Sequence, residues 1–321
     1  MSDLPDLRTH LGAVPLVRDV VLVRGPEATG FLQGQLSQDV AALGADETAW
    51  SLLLQPTGKV DAWLRVTRRT EDDLLLDVDA GHGSAVLARL RRFKLRTKVD
   101  LELETWSGLA LRGPGAREVE PPAGVLALDA AWPGVPAVDL LGAGELALAG
   151  VPLVAGGALE GLRIECGVPA MGAELTEATI PAEAGRWLID ASVSFSKGCY
   201  TGQELVARID SRGGQVPRPL RGLRLDDDRV PVGATLHVAA PDDGPAPVEE
   251  GAGPGAAPDR ATEPQDEGGR PVGVVTSVGR SAVLGPIALA PVPRSVPVGA
   301  TVEARWAGGA ARATVTDLPM R

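Results

Sequence analysis

The stretch KGCYTGQE occupies residues 197–204, within the most informative part of the chain, residues 163–213. Lys197 stands two positions before Cys199, where its ammonium could favour the thiolate form of the cysteine. The glycines on either side of the Cys-Tyr pair permit a close approach of the backbone to a ligand. The candidate functional residues of this motif are Lys197, Gly198, Cys199, Tyr200, Gly202, Gln203 and Glu204.

Residue types alone leave two interpretations of the motif open. Cys199 is either a reactive or ligating thiol activated by Lys197, with Gln203 and Glu204 hydrogen-bonding a heterocycle, or a small buried residue in a turn whose neighbouring lysine points to water. Cys166 is the one other cysteine, and two thiols are too few for a self-contained four-cysteine zinc or iron–sulfur site. We therefore predict no intrinsic metal site, and Cys199 is at most a transient cluster ligand.

Composition bounds the class of protein. The chain has 321 residues, 44% of them hydrophobic, so it could hold two or three domains with apolar cores. The formal net charge of -11 disfavours broad nonspecific binding to nucleic acid. Residues 239–270 contribute -6 of that charge and contain few large apolar side chains, which predicts a disordered insertion. With no leader pattern and no apolar run long enough to cross a membrane, we expect a cytosolic protein.

The hydrophobic pattern predicts a mixture of strands and helices. Apolar and β-branched runs indicate strands at residues 20–23, 50–54, 60–66 and 74–78. One helix is expected after the first of these strands and another at about residues 83–95. Because the elements do not alternate regularly, we expect an α+β fold followed by an all-β domain from about residue 220.

The predicted helix at residues 83–95 is strongly basic, and the basic character continues to Lys98. Its apolar residues fall on one side, and the arginines and lysines cover the rest. Such a pattern is typical of a solvated helix face, and it is also compatible with a contact to phosphate or RNA. Both interpretations stay open at this point.

The motif, continued as LVARIDSRG at residues 205–213, resembles the signature of the YgfZ family, folate-binding relatives of the glycine-cleavage T-protein. The resemblance extends to residues 23–39, 58–59 and 273–277. It implies a T-protein-like fold, in which residues 1–219 form an aminomethyltransferase-like folate-binding domain of two α+β lobes. Residues 220–321 would then form a C-terminal β-barrel that carries the insertion.

The resemblance also implies a function and partners. Members of this family bind tetrahydrofolate or a one-carbon derivative and support the assembly or repair of iron–sulfur proteins, with links to enzymes of tRNA thiomodification. The expected partners are therefore folate and iron–sulfur client or assembly proteins, with a weak tRNA contact through the basic helix as a further hypothesis.

Three residues are expected to contact the folate. Glu183, in the stretch IPAE, matches the T-P-x-E-like element of the T-protein relatives, and its carboxylate could accept two parallel hydrogen bonds from a pterin. The alternative is a carboxylate at a helix end. Arg212, preferred over Arg208, would bind the acidic glutamyl tail, although both could be surface residues paired with acids. Tyr200, the chain's single tyrosine, is included as a cofactor contact.

One departure from the family pattern bears on mechanism. The aminomethyl-transferring relatives carry an aspartate pair, and alignment places Ala62 and Trp63 at those two positions. Asp61 lies one residue earlier, and a one-residue offset in a strand faces the other side of the sheet. The usual aminomethyl transfer is thus disfavoured, and a folate-dependent aminomethyltransferase or demethylase stays as the alternative function.

Overall fold

The computed structural model describes residues 4–238 and 270–321, and these residues form an α+β structure built on two seven-stranded sheets. The α+β prediction is confirmed. The insertion predicted at 239–270 lies, apart from Arg270, outside the described residues. No helix in the described ranges has the length and apolar composition needed to cross a bilayer.

The first sheet is antiparallel throughout, with strand order β2-β3-β4-β1-β5-β7-β6. All four strands predicted near the N-terminus are present in it. Its strands are β1 (Gly12–Arg24), β2 (Glu47–Leu54), β3 (Val60–Arg68), β4 (Asp73–Asp79), β5 (Asp100–Arg112), β6 (Leu126–Asp129) and β7 (Ala137–Gly142).

Two helices cover one face of this sheet. They are α1 (Ala28–Gln35) and α2 (Gly83–Lys94), and α2 ends one residue before the predicted end. Phe31 and Leu32 of α1 and Val86 and Leu90 of α2 join the buried strand residues in one apolar core. This core fixes α1, whose C-terminal end contributes to the site described below.

The opposite face of the sheet packs against α3 (Gly156–Cys166), α4 (Arg186–Ser192) and α5 (Gln203–Ser211). Tryptophans dominate this second core. The rings of Trp50 and Trp63 stack with their centroids 3.9 Å apart, and Trp187 meets Trp63 edge-on at 5.8 Å. Leu188 of α4 and Val206 of α5 belong to the same core, so the segment with the KGCYTGQE motif is anchored to the sheet at both ends.

Charged residues also lie buried on this face. The guanidinium of Arg65 is fully buried and donates to the carboxylates of Asp77 at 2.7 Å and Asp139 at 2.8 Å. Arg112 donates to the other oxygen of Asp139 at 2.8 Å, and Arg18 bonds Asp77 at 2.9 Å. We call these five residues the buried ion network.

The second sheet has the order β10-β9-β13-β14-β8-β12-β11, and each of its pairings is antiparallel. It begins at Leu220, as predicted for the all-β region, although the domain division itself stays a prediction. Its strands are β8 (Leu220–Leu225), β9 (Thr235–Val238), β10 (Gly273–Val274), β11 (Ser277–Ser281), β12 (Gly285–Pro291), β13 (Thr301–Trp306) and β14 (Gly309–Thr316).

The second sheet docks on the first part of the chain through α3 and Glu174. A Cβ on Gly161 of α3 would lie 2.1 Å from the carbonyl oxygen of Arg280, so only glycine permits this helix–strand contact. The buried carboxylate of Glu174 accepts hydrogen bonds from the hydroxyls of Thr276 and Ser277, both at 2.6 Å. The second sheet thus packs on α3, which in turn packs on the first sheet.

Candidate functional site

The KGCYTGQE motif lies mostly in the connection between α4 and α5, which we call the motif loop, residues 193–202. Backbone hydrogen bonds fix both parts of this loop to the C-terminal end of α1 and the residues after it. Ser194 N–H donates to Ser37 O at 3.0 Å, and Thr201 N–H donates to Gly34 O at 3.2 Å. The motif loop is therefore hydrogen-bonded to the α1 segment near each of its ends.

Gly202 serves the packing of the loop. Its φ is +82°, and a Cβ there would lie 2.6 Å from Gln55 O. Gly58, in the turn before β3, has a φ of +80°, and its Cβ would lie 2.4 Å from the Cβ of Leu205. The sequence predicted that the motif glycine lets the backbone approach a ligand. In the structure, Gly202 lets the backbone approach the turn that contains Gln55 and Gly58.

Lys197 is buried and its ammonium is fully hydrogen-bonded. Nζ donates to Gln33 O at 2.7 Å and to Leu36 O and Gln38 O, both at 2.8 Å. An ammonium has three N–H groups, and each has a carbonyl acceptor here. The structure therefore differs from both sequence interpretations, because Lys197 neither reaches the thiol nor points to water.

Burial changes the ionisation of two motif residues. It lowers the pKa of Lys197 to about 8, while the charge of Asp39 acts in the opposite direction. It raises the pKa of Tyr200 to about 12. The Tyr200 ring belongs to the tryptophan-rich core, with Nζ of Lys197 5.3 Å from its centroid. Both side chains hold the loop in place.

The two cysteines have opposite environments. Cys199 is exposed, so the interpretation of a small buried residue is wrong. Cys166 is buried, and burial raises its pKa to about 11. A cysteine acts as a nucleophile or metal ligand through its thiolate, so the exposed Cys199 is better placed than the buried Cys166 to react with a partner. Cys199 lines none of the cavities described below.

Three motif residues remain, namely Gly198 beside Cys199 in sequence and Gln203 and Glu204 at the start of α5. Gly198 is exposed, and a Cβ added to it would meet no atom of the described residues within 4 Å. Gln203 and Glu204 form the first turn of α5, where an acidic side chain is favourable to the helix dipole. Their side chains make no hydrogen bond within the described residues, so they are free to meet a ligand.

Glu183 occupies a short 3-10 helix, Pro181–Ala184. Its Oε2 accepts the backbone N–H of Ile180 at 3.0 Å, the arrangement expected for a carboxylate at a helix end. The residue also lines a cavity of about 40 Å³, together with Glu174 and Arg218. One carboxylate thus closes the helix start and borders a cavity at the same time.

Arg218 is the arginine that shares the cavity of Glu183. Arg208 and Arg212 are both exposed and line neither of the cavities that border the short helix. Arg218 NH2 donates to Val272 O at 3.3 Å. Sequence reasoning missed this residue because it follows Glu183 by 35 positions and belongs to no motif. Neither of the two cavities that border the short helix is lined by Glu183, Tyr200 and Arg212 together.

A larger cavity, of about 180 Å³, also borders the short 3-10 helix. Its wall is mainly apolar, from Ile180, Pro181, Ala182, Ile189, Val206 and Ile209. At its edge Arg186 NH1 donates to Asp210 at 2.7 Å. This cavity is lined by the residues just before Glu183 and by Gly213, which follows Arg212 in the sequence.

Strand alternation predicts that Asp61 and Ala62 of β3 face opposite sides of the sheet, but in the structure they face the same side. Asp61 is the extra residue of a β-bulge, since Leu53 pairs with Ala62 and Leu54 with Val60. Its carboxylate accepts from Arg89 Nε of α2 at 3.0 Å, and Ala62 lies in the apolar core that includes α2. Asp61 and Ala62 thus share the α2 side, because the extra residue of a bulge cancels one step of alternation.

Trp63, at the second of the expected aspartate positions, faces the other side of the sheet. Its ring lies in the tryptophan-rich core, where Nε1 donates to Ser192 Oγ at 3.0 Å. No carboxylate therefore stands at either of the two aspartate positions, and the nearest one, Asp61, is held by an arginine.

The basic helix has both paired and unpaired cations. Arg89 is partly buried by its contact with Asp61, and its guanidinium lies 3.7 Å from the Phe93 ring centroid. Arg92 and Arg96 are exposed and make no ion pair among the described residues. A contact with RNA through this surface stays a prediction. Within the described ranges, no three His, Cys, Asp or Glu residues are grouped so as to hold a metal ion.

The chain was compared with protein families and with known proteins, and the matches agree with one another. Residues 250–320 match the family described as Glycine cleavage T-protein C-terminal barrel domain. The chain is 28% identical to the tRNA-modifying protein YgfZ of Edwardsiella ictaluri, over 65% of this chain and 69% of that protein. It is 27% identical to the mitochondrial iron-sulfur cluster assembly factor IBA57 homolog of Neurospora crassa, over 66% of this chain and 53% of that protein.

An aminomethyltransferase of Rubrobacter xylanophilus is 30% identical, over 68% of this chain and 64% of that protein. The chain spans from about half to about two thirds of the length of these relatives. The fold is that of the glycine cleavage system aminomethyltransferase T from Bartonella henselae, whose crystal structure superposes with a TM-score of 0.71 at 21% identity. That match covers 98% of this chain and 87% of the other.

Proposed function

We propose that the chain, which is similar to YgfZ-type proteins and their glycine-cleavage T-protein relatives, binds tetrahydrofolate or a one-carbon derivative and supports assembly or repair of iron–sulfur proteins. The observation that carries this proposal is the exposed thiol of Cys199 on a loop tied to the sheet. We expect the protein to act in the cytosol, with iron–sulfur client or assembly proteins as its partners.

The contrast between the two thiols supports Cys199 as the reactive group. A thiol that transfers sulfur, carries a one-carbon group or ligates a cluster transiently has to reach its partner from the surface. Cys199 meets that condition, whereas Cys166 is buried beneath Arg8, whose NH2 lies 3.8 Å from its sulfur. The cluster itself would be cargo and not a resident group.

The residues around Glu183 fit the polar groups of a folate. Its carboxylate suits the donor edge of a pterin, and the guanidinium of Arg218, which lines the same cavity, suits an acidic group of the ligand. The cavity of about 40 Å³ has room for roughly one or two water molecules. A folate therefore requires the exposed Arg218 side chain to move, or extends into the larger cavity that also borders the short helix.

Calorimetric titration with tetrahydrofolate tests the cofactor proposal and its location. We expect Glu183→Gln and Arg218→Gln each to weaken binding by about tenfold, since each removes a charge-assisted hydrogen bond. Ile209→Trp, which fills the larger cavity, serves as the matched variant. Loss of binding in Ile209→Trp alone would move the ligand to that cavity, and no binding by the unmodified protein would refute the folate proposal.

Complementation of an iron–sulfur maturation defect tests the role of the thiol. Cys199→Ala should abolish complementation while the affinity for tetrahydrofolate stays within about threefold. Cys166→Ala is the control, because it removes the buried thiol. Full activity of Cys199→Ala would overturn the function that we give to Cys199.

A folate-dependent aminomethyltransferase or demethylase is the second candidate, favoured by the relatives that carry the aminomethyltransferase name. Against it, Asp61 is held by Arg89 on the α2 side of the sheet and Trp63 occupies the core. Release of ammonia from an aminomethyl-lipoyl carrier in the presence of tetrahydrofolate would establish it. A weak tRNA contact through α2 would be lost on charge reversal of Arg91 and Arg92.

A further inference from the structure

We propose that Lys197 is a positioning residue, whose ammonium clamps the motif loop to the C-terminal end of α1 so that the Cys199 thiol is presented to solvent. The proposal rests on the function proposed above, in which Cys199 reacts with a partner at the surface. It assigns to Lys197 a role other than the activation of the thiol.

The hydrogen bonds of Lys197 join two segments that are far apart in sequence. The acceptors, Gln33, Leu36 and Gln38, lie in the last turn of α1 and just beyond it. The carbonyl groups at a helix C-terminus lack intrahelical partners and carry a partial negative charge. A lysine ammonium can therefore satisfy several of them from a single point.

The position of Lys197 within the loop gives this contact its effect. The bonds of Ser194 and Thr201 to the α1 segment fix the flanks of the loop, and Lys197 fixes its middle. Between these three attachment points, Phe195 and Cys199 remain exposed. Lys197 and Tyr200 are buried on either side of the exposed Cys199, so the clamp holds the backbone next to the thiol.

The ammonium is committed to this structural contact. All three of its hydrogens have carbonyl acceptors, and it makes no ion pair with a carboxylate among the described residues. A buried charge without an ion-pair partner is unfavourable. The three hydrogen bonds offset part of that cost, and they also fix the position of the loop.

The test uses Lys197→Met, which preserves the aliphatic stem but removes all three donors, and Lys197→Arg, which keeps the charge. Lys98→Met is the control, because Lys98 is exposed and its side chain makes no hydrogen bond or ion pair within the described structure. All are made in a Cys166→Ala background so that a single thiol reports. Hydrogen exchange is measured across residues 194–201, and modification of Cys199 by 2,2′-dithiodipyridine is followed from about pH 6 to about pH 9.

We expect Lys197→Met to accelerate exchange in residues 194–201 by about tenfold, with the strands of the first sheet unchanged. Lys197→Arg should restore part of the protection, and Lys98→Met should match the parent. The midpoint of the pH–rate profile of modification should be the same in the parent and in Lys197→Met. Unchanged hydrogen exchange in Lys197→Met would refute the clamp. If the midpoint of the pH–rate profile also shifted, Lys197 would instead activate the thiol.

These readouts need neither folate nor an iron–sulfur client, so they are independent of the proposed function. Complementation then links the two: Lys197→Met should reduce it in proportion to the loss of loop protection. Full complementation by a Lys197→Met protein with a loosened loop would show that positioning is not needed, and would overturn this inference while leaving the role of Cys199 intact.

Discussion

Arg65 and Lys197 are both buried cations, but the protein holds them in different ways. Arg65 is surrounded by the full negative charges of Asp77 and Asp139. Lys197 is hydrogen-bonded to three neutral carbonyl groups of the α1 segment, and the charge of Asp39 is too weak to offset its burial. Burial alone would lower the pKa of each cation. For Arg65 the two carboxylates outweigh burial and raise its pKa, whereas for Lys197 burial prevails and the pKa falls to about 8.

The difference separates a charge that stabilises the fold from a charge that shapes a loop. In the buried ion network each charge is the partner of another, so removing one leaves the others uncompensated in the interior. At Lys197 the partners are neutral, so removing the lysine leaves only unpaired carbonyl groups. The network should therefore matter most for global stability, and Lys197 for the local order of the motif loop.

The largest effect is expected for Arg65→Met. It leaves Asp77 with Arg18 alone and Asp139 with Arg112 alone, so two buried carboxylates lose their shared guanidinium, which should lower the free energy of unfolding by about 3–5 kcal/mol. Urea unfolding measures this loss. Arg117→Met is the control, because Arg117 and Asp129 form an exposed pair, and it should change stability by less than about 1 kcal/mol. Equal losses in the two variants would contradict a special role for the buried network.

Acid should weaken the same network. Burial would raise the pKa of Asp139, but the charges of Arg112 and Arg65 overcome it and lower the pKa to about 2. The stability from this group is therefore complete above its ordinary pKa of 3.8 and is lost as the pH falls through 2. The lowered pKa of Asp139 contributes about 2 kcal/mol to the free energy of unfolding at neutral pH. Urea midpoints between pH 5 and 2 should fall less steeply in Asp139→Asn than in the parent; parallel curves would exclude this linkage.

Lys197→Met should have a smaller global effect. It removes three hydrogen bonds, but it also removes a buried charge that is unfavourable at neutral pH. The net loss of unfolding free energy should be about 1–2 kcal/mol, measured by urea unfolding beside Arg65→Met. A loss as large as that of Arg65→Met would mean that the ammonium belongs to the global core and that its contacts are not confined to the loop.

Much of the fold follows from the sequence. The apolar run at residues 20–23 lies within β1, and the amphipathic pattern at residues 83–95 predicted α2 to within a residue at its end. Local patterns carry this information because each strand or helix buries one face. The bulge at Asp61 also illustrates the limit, since its extra residue comes from the pairing with β2 and not from the β3 sequence.

The site was predicted less completely, because its contacts join distant segments. The sequence singled out Lys197 for its nearness to Cys199, yet its partners lie more than 150 residues away, at the end of α1. Arg218 reaches the cavity of Glu183 only because the chain enters the second sheet there. Spacing along the chain could show which residues carry chemistry, but only the tertiary structure shows which way each one faces.

The smallest effect concerns alkaline pH, and it separates the two cations by sign. Because the pKa of Lys197 is about 8 in the folded protein and 10.5 in its ordinary state, the unfolded chain binds this proton more tightly. Stability should therefore rise as the pH increases from 8 towards 10.5, by on the order of 1 kcal/mol after solvent screening. Urea unfolding of the parent and of Lys197→Met should diverge in this range, since the variant lacks the titrating group. A neutral amine still donates two hydrogen bonds, so the loop stays attached. A parent that follows Lys197→Met throughout would show that the carbonyl groups fully offset the burial of the ammonium, which would contradict the lowered pKa.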